Sequence, residues 1–217
     1  MTHSTPQDSE RTAFIRSLRQ KGAGGEAVLH AMGLVPRELF VDPVLRSHAY
    51  DDVALPIACG QTMSQPSLVA QMTDALEVTA ALRVLEVGTG SGYQAAVLSH
   101  LAAEVVTLDR YRTLVSDAAA RFQVLGLRNV GAFVADGRIG MSARAPFDRI
   151  MITAATPEVP RALFDQLRMD GLLVAPVGDP SAVQTLIRYR KGVGGLVEDR
   201  LLDVRFVPLV EGISATL

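Results

Sequence analysis

The chain has 217 residues, of which 48% are hydrophobic and 20% charged, and its 21 basic residues nearly balance 23 acidic ones. This composition excludes a disordered or low-complexity chain, because it supplies enough apolar side chains for one compact core. A formal net charge of −2 disfavours a nucleic-acid partner or an anionic membrane surface. The single cysteine and four dispersed histidines disfavour a disulfide or a metal site. No apolar run reaches the roughly 20 residues that cross a bilayer, so we expect a cytoplasmic protein without a membrane segment.

The first third of the chain is predicted to be helical and irregular. Apolar residues at helical spacing indicate helices over residues 9–20 and 26–32, and a further helix begins at Pro66, a residue suited to a first helical turn. We expect residues 1–66 to form an N-terminal helical lid segment that packs on a core over residues 67–217. The two parts are expected to make a single structural domain.

From residue 79 onward, short apolar runs alternate with segments of helical length. The predicted strands are 83–87, 105–109, 132–135, 149–153 and 172–177, and the predicted helices are 94–101, 111–125 and 160–167. This alternation is typical of an α/β protein with a mainly parallel central sheet and helices on both faces, a Rossmann-like fold. Two later apolar segments, 184–190 and 202–209, are predicted to close the sheet as an antiparallel hairpin.

A glycine-rich turn follows the first of these strands. Gly88, Gly90 and Gly92 stand between the strand and the next helix, where they allow the backbone to turn sharply and approach a ligand closely. A dinucleotide-binding loop would need a third glycine where Tyr93 stands, and a phosphate-binding P-loop would end in Gly-Lys-Ser/Thr. The turn therefore predicts a nucleotide-type cofactor site that belongs to neither of these classes.

Acidic residues end the next two strands, at the same edge of the predicted sheet. Asp109 is 19 residues after Gly90, where its carboxylate can accept hydrogen bonds from both hydroxyls of a ribose. Helix capping is the alternative role for Asp109. Asp136 and Gly137 follow the third strand, and this dipeptide is also typical of an ordinary turn.

The segment Glu86-Val-Gly-Thr-Gly-Ser-Gly92 resembles the first motif of S-adenosylmethionine-dependent methyltransferases. The resemblance implies that the loop, with Gly88, Gly90 and Ser91, wraps the amino-acid end of the cofactor and that Glu86 helps to position it. It also implies that Asp136 meets the adenine amino group. The further residues expected at the cofactor site are Gln61, Thr62, Asp109, Arg110 and Gly137.

The segment Gly60-Gln-Thr-Met-Ser-Gln-Pro66 narrows the class further. Together with residues 35–40, 49–51, 54–59, 145–148, 153–155, 176–178 and 205–209, it closely resembles the protein-L-isoaspartate O-methyltransferase family. The similarity runs from about residue 25 to residue 212. The chain departs from the usual pattern at Ala58, where the family has glycine, at Met63 and at Asp109. Of these, Ala58 is expected to affect the backbone path of the loop if that position needs a positive φ.

The resemblance implies transfer of a methyl group from S-adenosylmethionine to the free α-carboxylate of L-isoaspartyl residues, which leaves S-adenosylhomocysteine and needs no metal. The ester then collapses to a succinimide, whose hydrolysis partly restores aspartate, so the net effect is repair. The partners are therefore isoaspartyl-containing peptides and proteins, and we expect a monomer. Ser64 is the expected catalytic residue, because the matching serine hydrogen-bonds the substrate carboxylate. Its alternative role is to cap the helix that begins at Pro66.

Three other functions remain as alternatives. The first is a related carboxyl methyltransferase that acts on a different peptide or a small-molecule carboxylate. The second is a catalytically silent protein that only binds the cofactor. The third, a nicotinamide oxidoreductase, is disfavoured by Tyr93 in place of the third glycine.

Overall fold

The computed structural model describes residues 6–215, and its first part has the predicted helices. Helix α1 spans Pro6–Gln20, α2 spans Glu26–Leu34 and α3 spans Pro66–Ala75. Between α2 and α3, two short strands, β1 (Leu55–Pro56) and β2 (Thr62–Met63), pair antiparallel. Within the described part of the chain, no helix is both long enough and apolar enough to cross a membrane.

A seven-stranded sheet forms the centre of the molecule. Its strands are β3 (Arg83–Val87), β4 (Glu104–Asp109), β5 (Val130–Val134), β6 (Phe147–Ile152), β7 (Leu167–Val177), β8 (Gln184–Gly192) and β9 (Gly195–Val204). They lie in the order β5-β4-β3-β6-β7-β8-β9, and the pairs among β3 to β7 are parallel. The connecting helices are α4 (Tyr93–Ser99), α5 (Arg112–Val124) and α6 (Arg161–Gln166). The predicted α/β fold with a mainly parallel sheet is confirmed.

The order of the strands decides where a ligand can bind. From β3 the chain continues on one side to β4 and β5, and then crosses back to β6 on the other side of β3. Open parallel sheets of this kind bind ligands in the crevice outside the carboxyl end of the strand where the direction of winding reverses. The turn that begins at Gly88 lies at that position.

The N-terminal segment packs against one face of the sheet. Buried side chains of α1, α2 and the following turn, such as Leu18, Met32 and Phe40, belong to the same hydrophobic cluster as Leu98 of α4 and Val84 of β3. Burial of this size favours association of the segment with the core, at roughly 1.5–3 kcal/mol for each large apolar side chain. Its separate role as a lid remains a prediction.

The closing hairpin is present, but the predicted position of its second strand is wrong. Gly192 pairs with Gly195 across a two-residue connection, so β9 begins at Gly195 and not at residue 202. Gly195 has φ +108°, a conformation that lets the chain reverse at once. Residues 205–214 leave the edge of the sheet and form what we call the C-terminal strap.

The C-terminal strap crosses the carboxyl ends of three strands. Beyond β6, the backbone of Ala155 donates to Val207 and accepts from Leu209, each at 2.7 Å. Further along, the amide of Gly212 donates to Asp136 Oδ2 at 2.8 Å, and the amide of Ser214 donates to the carbonyl of Arg110 at 3.0 Å. The strap therefore forms a wall beside the crevice at the end of β3.

Candidate active site

The glycine loop after β3 has the conformation that its sequence predicts. Gly88, Gly90 and Gly92 have φ values of +102°, +52° and +89°, which side chains other than glycine rarely adopt. A Cβ atom at Gly88 would lie 2.2 Å from Thr153 Oγ1, so the position has no room for a side chain. The amide of Gly88 donates to the carbonyl of Leu108 at 2.8 Å, which ties the loop to the end of β4.

Glu86 lies behind this loop and does not line the cleft. Its side chain is fully buried, and Thr107 donates a hydrogen bond to its Oε2. Thr107 in turn lies 2.7 Å from the hydroxyl of Thr89 in the loop. Two threonine hydroxyls thus connect the carboxyl group to the glycine loop. A direct contact between Glu86 and a cofactor remains a prediction.

The pKa of Glu86 is strongly perturbed. Burial raises it to about 8, while the hydrogen bond from Thr107 acts in the opposite direction. Its other oxygen, Oε1, has no hydrogen-bond partner in the part of the chain whose side chains the structure describes, residues 9–215. A buried carboxyl group with so few donors is favoured in its neutral form, which can itself donate one hydrogen bond.

Asp109 joins the loop to the second strand. Its Oδ2 accepts from the amide of Gly90 at 2.9 Å, and its Oδ1 accepts from the amide of Tyr111 at 3.0 Å. Burial raises the pKa of Asp109, and these backbone hydrogen bonds oppose the shift. Each carboxylate oxygen can accept a second hydrogen bond, so both remain able to bind the hydroxyls of a ribose.

Arg110 follows Asp109 and lines the cleft. Its guanidinium lies 5.5 Å from the ring centroid of Tyr111, within the range of a cation–π contact. Its Nε is buried and has no hydrogen-bond partner among the described residues. An unpaired donor at the wall of a cleft is an observation that favours a polar ligand there.

Asp136 and Gly137 differ in their relation to the cleft. Asp136 lies outside its lining and accepts from the amides of Arg138 at 2.9 Å and Gly212 at 2.8 Å. The carboxylate thus serves the turn and the C-terminal strap, and a contact with adenine remains a prediction. Gly137 lines the cleft, and a Cβ there would lie 2.4 Å from Val87 Cγ1.

The opposite wall of the cleft comes from the loop before α3. Gln61, Thr62 and Ser64 all line it. The Ser64 hydroxyl has no hydrogen-bond partner in the described part of the chain, and the carbonyl of Ser64 accepts from Arg37 Nη2 at 2.7 Å. The capping interpretation of Ser64 is wrong, because Gln65 occupies the N-cap position of α3 and no side chain caps the helix. The hydroxyl is therefore available to a ligand.

Ala58, in the same loop before α3, does not strain the backbone. The positive φ values fall on Cys59 (+59°) and Gly60 (+65°), and Ala58 begins a short 3₁₀ helix. The expectation that an added methyl group at position 58 alters the backbone path required a positive φ there. Since Ala58 has none, alanine fits the loop without backbone strain.

Arg37 is a residue of the site that sequence reasoning missed. It has no exposed surface, and it holds the loop by donating from Nε to the carbonyl of Ala49 at 2.8 Å and from Nη2 to that of Ser64. Its guanidinium lies 4.6 Å from the ring centroid of Tyr93. These partners are distant in sequence, and the only available signal was a charged residue within the apolar segment 35–40.

One cleft collects most of the predicted site. It encloses about 1000 Å³ including its open mouth. Glu86 and Asp136 lie outside its lining. The other nine of the eleven predicted residues line it: Gln61, Thr62, Ser64, Gly88, Gly90, Ser91, Asp109, Arg110 and Gly137. Part of the C-terminal strap, including Pro208 and Leu209, completes the lining. Among residues 6–215, no group of three or more metal-ligating side chains is present.

The fold and the cleft define an S-adenosylmethionine-dependent methyltransferase, and solved structures agree. One described as a protein-L-isoaspartate O-methyltransferase aligns over 94% of this chain and 67% of its own, with 29% identity and a TM-score of 0.84. A Plasmodium falciparum structure, described as a β-aspartate methyltransferase in complex with S-adenosyl-L-homocysteine, shares the fold over 91% of this chain and 97% of its own, with 24% identity and a TM-score of 0.79.

Sequence comparisons identify the family. The model of the protein-L-isoaspartate (D-aspartate) O-methyltransferase family matches residues 9–214. Protein-L-isoaspartate O-methyltransferases of Azorhizobium caulinodans and Xanthobacter autotrophicus are 67% and 65% identical to the chain. The first match covers all of both chains, and the second covers 99% of this chain and 98% of the relative. The chain belongs to the protein-L-isoaspartate (D-aspartate) O-methyltransferase family.

Proposed function

We propose that the chain methylates the free α-carboxylate of L-isoaspartyl residues with Ser64 as the group that holds this carboxylate. As a member of its family, the chain is an S-adenosylmethionine-dependent enzyme that acts on isoaspartyl sites in damaged proteins and peptides, which is a repair reaction. The observation that carries the role of Ser64 is its unpartnered hydroxyl in the wall of the cleft, opposite the glycine loop.

The residues of the cleft fit S-adenosylmethionine. Asp109 offers two carboxylate oxygens to the ribose, and the tight turn at Gly88 and Gly90 lets the backbone approach the amino-acid end. The unpaired Nε of Arg110 is a further donor at the same wall. When bound, S-adenosylmethionine supplies a methyl group on a sulfonium, whose positive charge makes the leaving group neutral.

The reaction needs no general base from the protein. A carboxyl group with an unperturbed pKa of about 4 is already ionised at neutral pH, so the nucleophile exists before binding. The chain must therefore hold one carboxylate oxygen in line with the methyl group, at roughly 3–3.5 Å, and exclude water. Placement of this kind contributes about 7–11 kcal/mol to lowering the barrier.

The walls of the cleft suit this positioning role. The Ser64 hydroxyl can donate to one carboxylate oxygen and leave the other free to attack. Met63 beside it is buried and apolar, and Ala154 at the end of β6 has a small side chain that leaves room for a peptide backbone. These apolar surfaces replace water around the reacting oxygen.

Methyl transfer to a matched pair of peptides tests the proposed function. Labelled S-adenosylmethionine is incubated with a peptide containing L-isoaspartate and, separately, with the same peptide containing aspartate. We expect base-labile label in the first peptide only, because the product is a methyl ester of the α-carboxylate. Equal labelling of both peptides, or no labelling although S-adenosylhomocysteine binds, would contradict the proposal and favour a different carboxylate substrate.

We also propose that the enzyme acts as a monomer in the cytoplasm without a nucleic-acid partner. Its near-neutral charge supports the absence of a nucleic-acid partner, and its single cysteine suits a reducing compartment. Sedimentation of the purified chain, with and without RNA, tests the oligomeric state and the binding together. Concentration-dependent dimerisation or comigration with RNA would contradict this part of the proposal.

A further inference from the structure

We propose that Arg37 is a positioning residue for the substrate carboxylate. In this proposal, which rests on the role of Ser64 proposed above, Arg37 fixes the backbone of Ser64 and supplies the buried positive charge that favours an anion at its hydroxyl.

The first argument is the burial of a charge that has no acidic partner. Arg37 has no exposed surface, and its guanidinium forms no salt bridge with a carboxylate of residues 9–215. Nearby carboxylates are already engaged: Glu38 accepts from the hydroxyl of Tyr50, and Asp52 pairs with Lys21 at 2.7 Å. A buried cation without a counter-charge is costly, and an anion that binds near it offsets the cost.

The second argument is the direct link between Arg37 and the proposed carboxylate site. Nη2 donates to the carbonyl of Ser64 at 2.7 Å, so the guanidinium contacts the same residue whose hydroxyl faces the cleft. Nε donates to the carbonyl of Ala49, which fixes the plane of the guanidinium. Arg37 itself does not line the cleft, and it therefore acts on the substrate through Ser64 and through its electric field.

The third argument is a pair of unsatisfied polar atoms beside the cleft. Arg37 Nη1 and the hydroxyl of Tyr93 are both buried without a hydrogen-bond partner among the described residues. The guanidinium stacks on the Tyr93 ring, and Tyr93 lines the cleft as Ser64 does. Neither atom is bound to a carboxylate, so the positive charge of Arg37 is not neutralised by a direct partner beside the cleft.

The test separates charge recognition from mere support of the loop. Affinity is measured, with S-adenosylhomocysteine present, for an isoaspartyl peptide and for the same peptide with its free α-carboxylate replaced by a neutral carboxamide. The wild type is expected to prefer the carboxylate. In Arg37→Met this preference should fall about tenfold, while affinities for the carboxamide peptide and for S-adenosylhomocysteine change less than about twofold.

Two further substitutions at the same position keep the proposal testable if Arg37→Met does not fold. Arg37→Gln removes the charge but retains an NH₂ group that can donate, and it should lose the carboxylate preference in the same way. Arg37→Lys retains the charge but lacks the rigid planar fork from which Nε and Nη2 donate to two carbonyls in fixed directions. It should keep the preference within about threefold and lower kcat about tenfold, because Ser64 is less well placed.

Arg149→Met is the matched control. Like Arg37, Arg149 donates to backbone carbonyls; its Nε donates to the carbonyl of Leu76 at 2.7 Å. Arg149 lies outside the cleft lining. The Arg149→Met variant should leave the carboxylate preference unchanged. The inference is overturned if Arg37→Met weakens both peptides equally, or if it weakens neither. Ser64→Ala separates the two proposals: if this variant keeps the full carboxylate preference of the wild type, the role of Ser64 itself fails, whatever Arg37→Met does.

Discussion

Asp109 and Gly90 are joined by a 2.9 Å hydrogen bond from the backbone amide of the glycine to Oδ2 of the carboxylate. This bond fixes the glycine loop against the end of β4, and Oδ1 does the same for Tyr111 at the start of the next helix. One carboxylate thus shapes the loop and faces the cleft with its remaining lone pairs.

Asp109→Asn is therefore expected to weaken cofactor binding. An amide offers one acceptor oxygen where the carboxylate offers two, so either Gly90 or Tyr111 loses its partner. We expect the affinity for S-adenosylhomocysteine to fall at least about tenfold and the free energy of unfolding by about 1–2 kcal/mol. Calorimetric titration measures the first and denaturant unfolding the second. Asp109→Glu, which keeps both oxygens, should bind more tightly than Asp109→Asn.

Ser64→Ala is expected to reduce turnover without affecting the cofactor. Loss of the hydroxyl removes one donor to the reacting carboxylate, and we expect kcat to fall about 100-fold. The affinity for S-adenosylhomocysteine should stay within about twofold. Because Gln65 occupies the N-cap position, unfolding free energy should change by less than about 0.5 kcal/mol. A loss of about 1 kcal/mol would instead show that the hydroxyl stabilises the folded chain as well as binding the substrate.

Gly88→Ala is expected to disrupt the loop. The new Cβ would lie 2.2 Å from Thr153 Oγ1, in a residue whose φ is +102°. We expect a loss of more than about 2 kcal/mol in unfolding free energy and no measurable binding of S-adenosylhomocysteine. The double variant Gly88→Ala/Thr153→Ala, which lacks the clashing hydroxyl, should recover part of the lost unfolding free energy. Gly194→Ala, where nothing lies within 4 Å of the added Cβ, is the control and should change little.

Glu86 is expected to make stability depend on pH. Its pKa is about 8 in the folded chain against an ordinary value of 4.5, so between these pH values the folded state holds one more proton than the unfolded state. The free energy of unfolding should therefore fall as pH rises in this window, by about 1.4 kcal/mol per pH unit. Glu86→Gln removes this contribution, because the amide does not titrate.

Denaturant unfolding of both chains at pH 5.5, 7.0 and 8.5 measures the effect. The difference in stability between Glu86→Gln and the wild type should shift in favour of the variant as pH rises. Parallel curves for the two chains would show that Glu86 is ionised in the folded protein.

Asp136→Ala distinguishes an anchor of the C-terminal strap from a ligand of adenine. Both carboxylate oxygens of Asp136 already accept from backbone amides, one of them that of Gly212. Affinity is measured for S-adenosylhomocysteine and for an analogue that lacks the adenine amino group. We expect the variant to lose the same factor of affinity for both ligands. The Gly212 amide should also exchange hydrogen faster. A loss confined to S-adenosylhomocysteine would support the adenine contact.

Local patterns were sufficient to predict most of the fold. The bounds of β3 were predicted without error, because an apolar strand ends where Gly88 forces a turn. The second strand of the hairpin was misplaced, since both 195–204 and 202–209 contain apolar residues and only pairing with Gly192 fixes the register. Residues 207–210 of the strap that follows are apolar and line the cleft, and no local pattern distinguishes such a run from a strand.

The site was predictable where one segment carries the chemistry and unpredictable where it depends on distant contacts. The glycine loop and Asp109 each lie next to the strand that places them. Arg37 donates to the carbonyl of Ser64, 27 residues away, and Asp136 accepts from the amide of Gly212, 76 residues away. Such pairings arise from packing of the whole chain, and a single sequence contains no direct record of them.

The C-terminal strap also affects when the enzyme can first work during its synthesis. Residues 207–210 line the cleft, and the amides of Gly212 and Ser214 attach the strap to Asp136 and Arg110. The cofactor site thus gains this wall only after residues 207–214 have been synthesised, later than the strands that carry the glycine loop and Asp109. A chain interrupted after β9 would keep the strands of the central sheet and lack the part of the cleft wall that Pro208 and Leu209 provide.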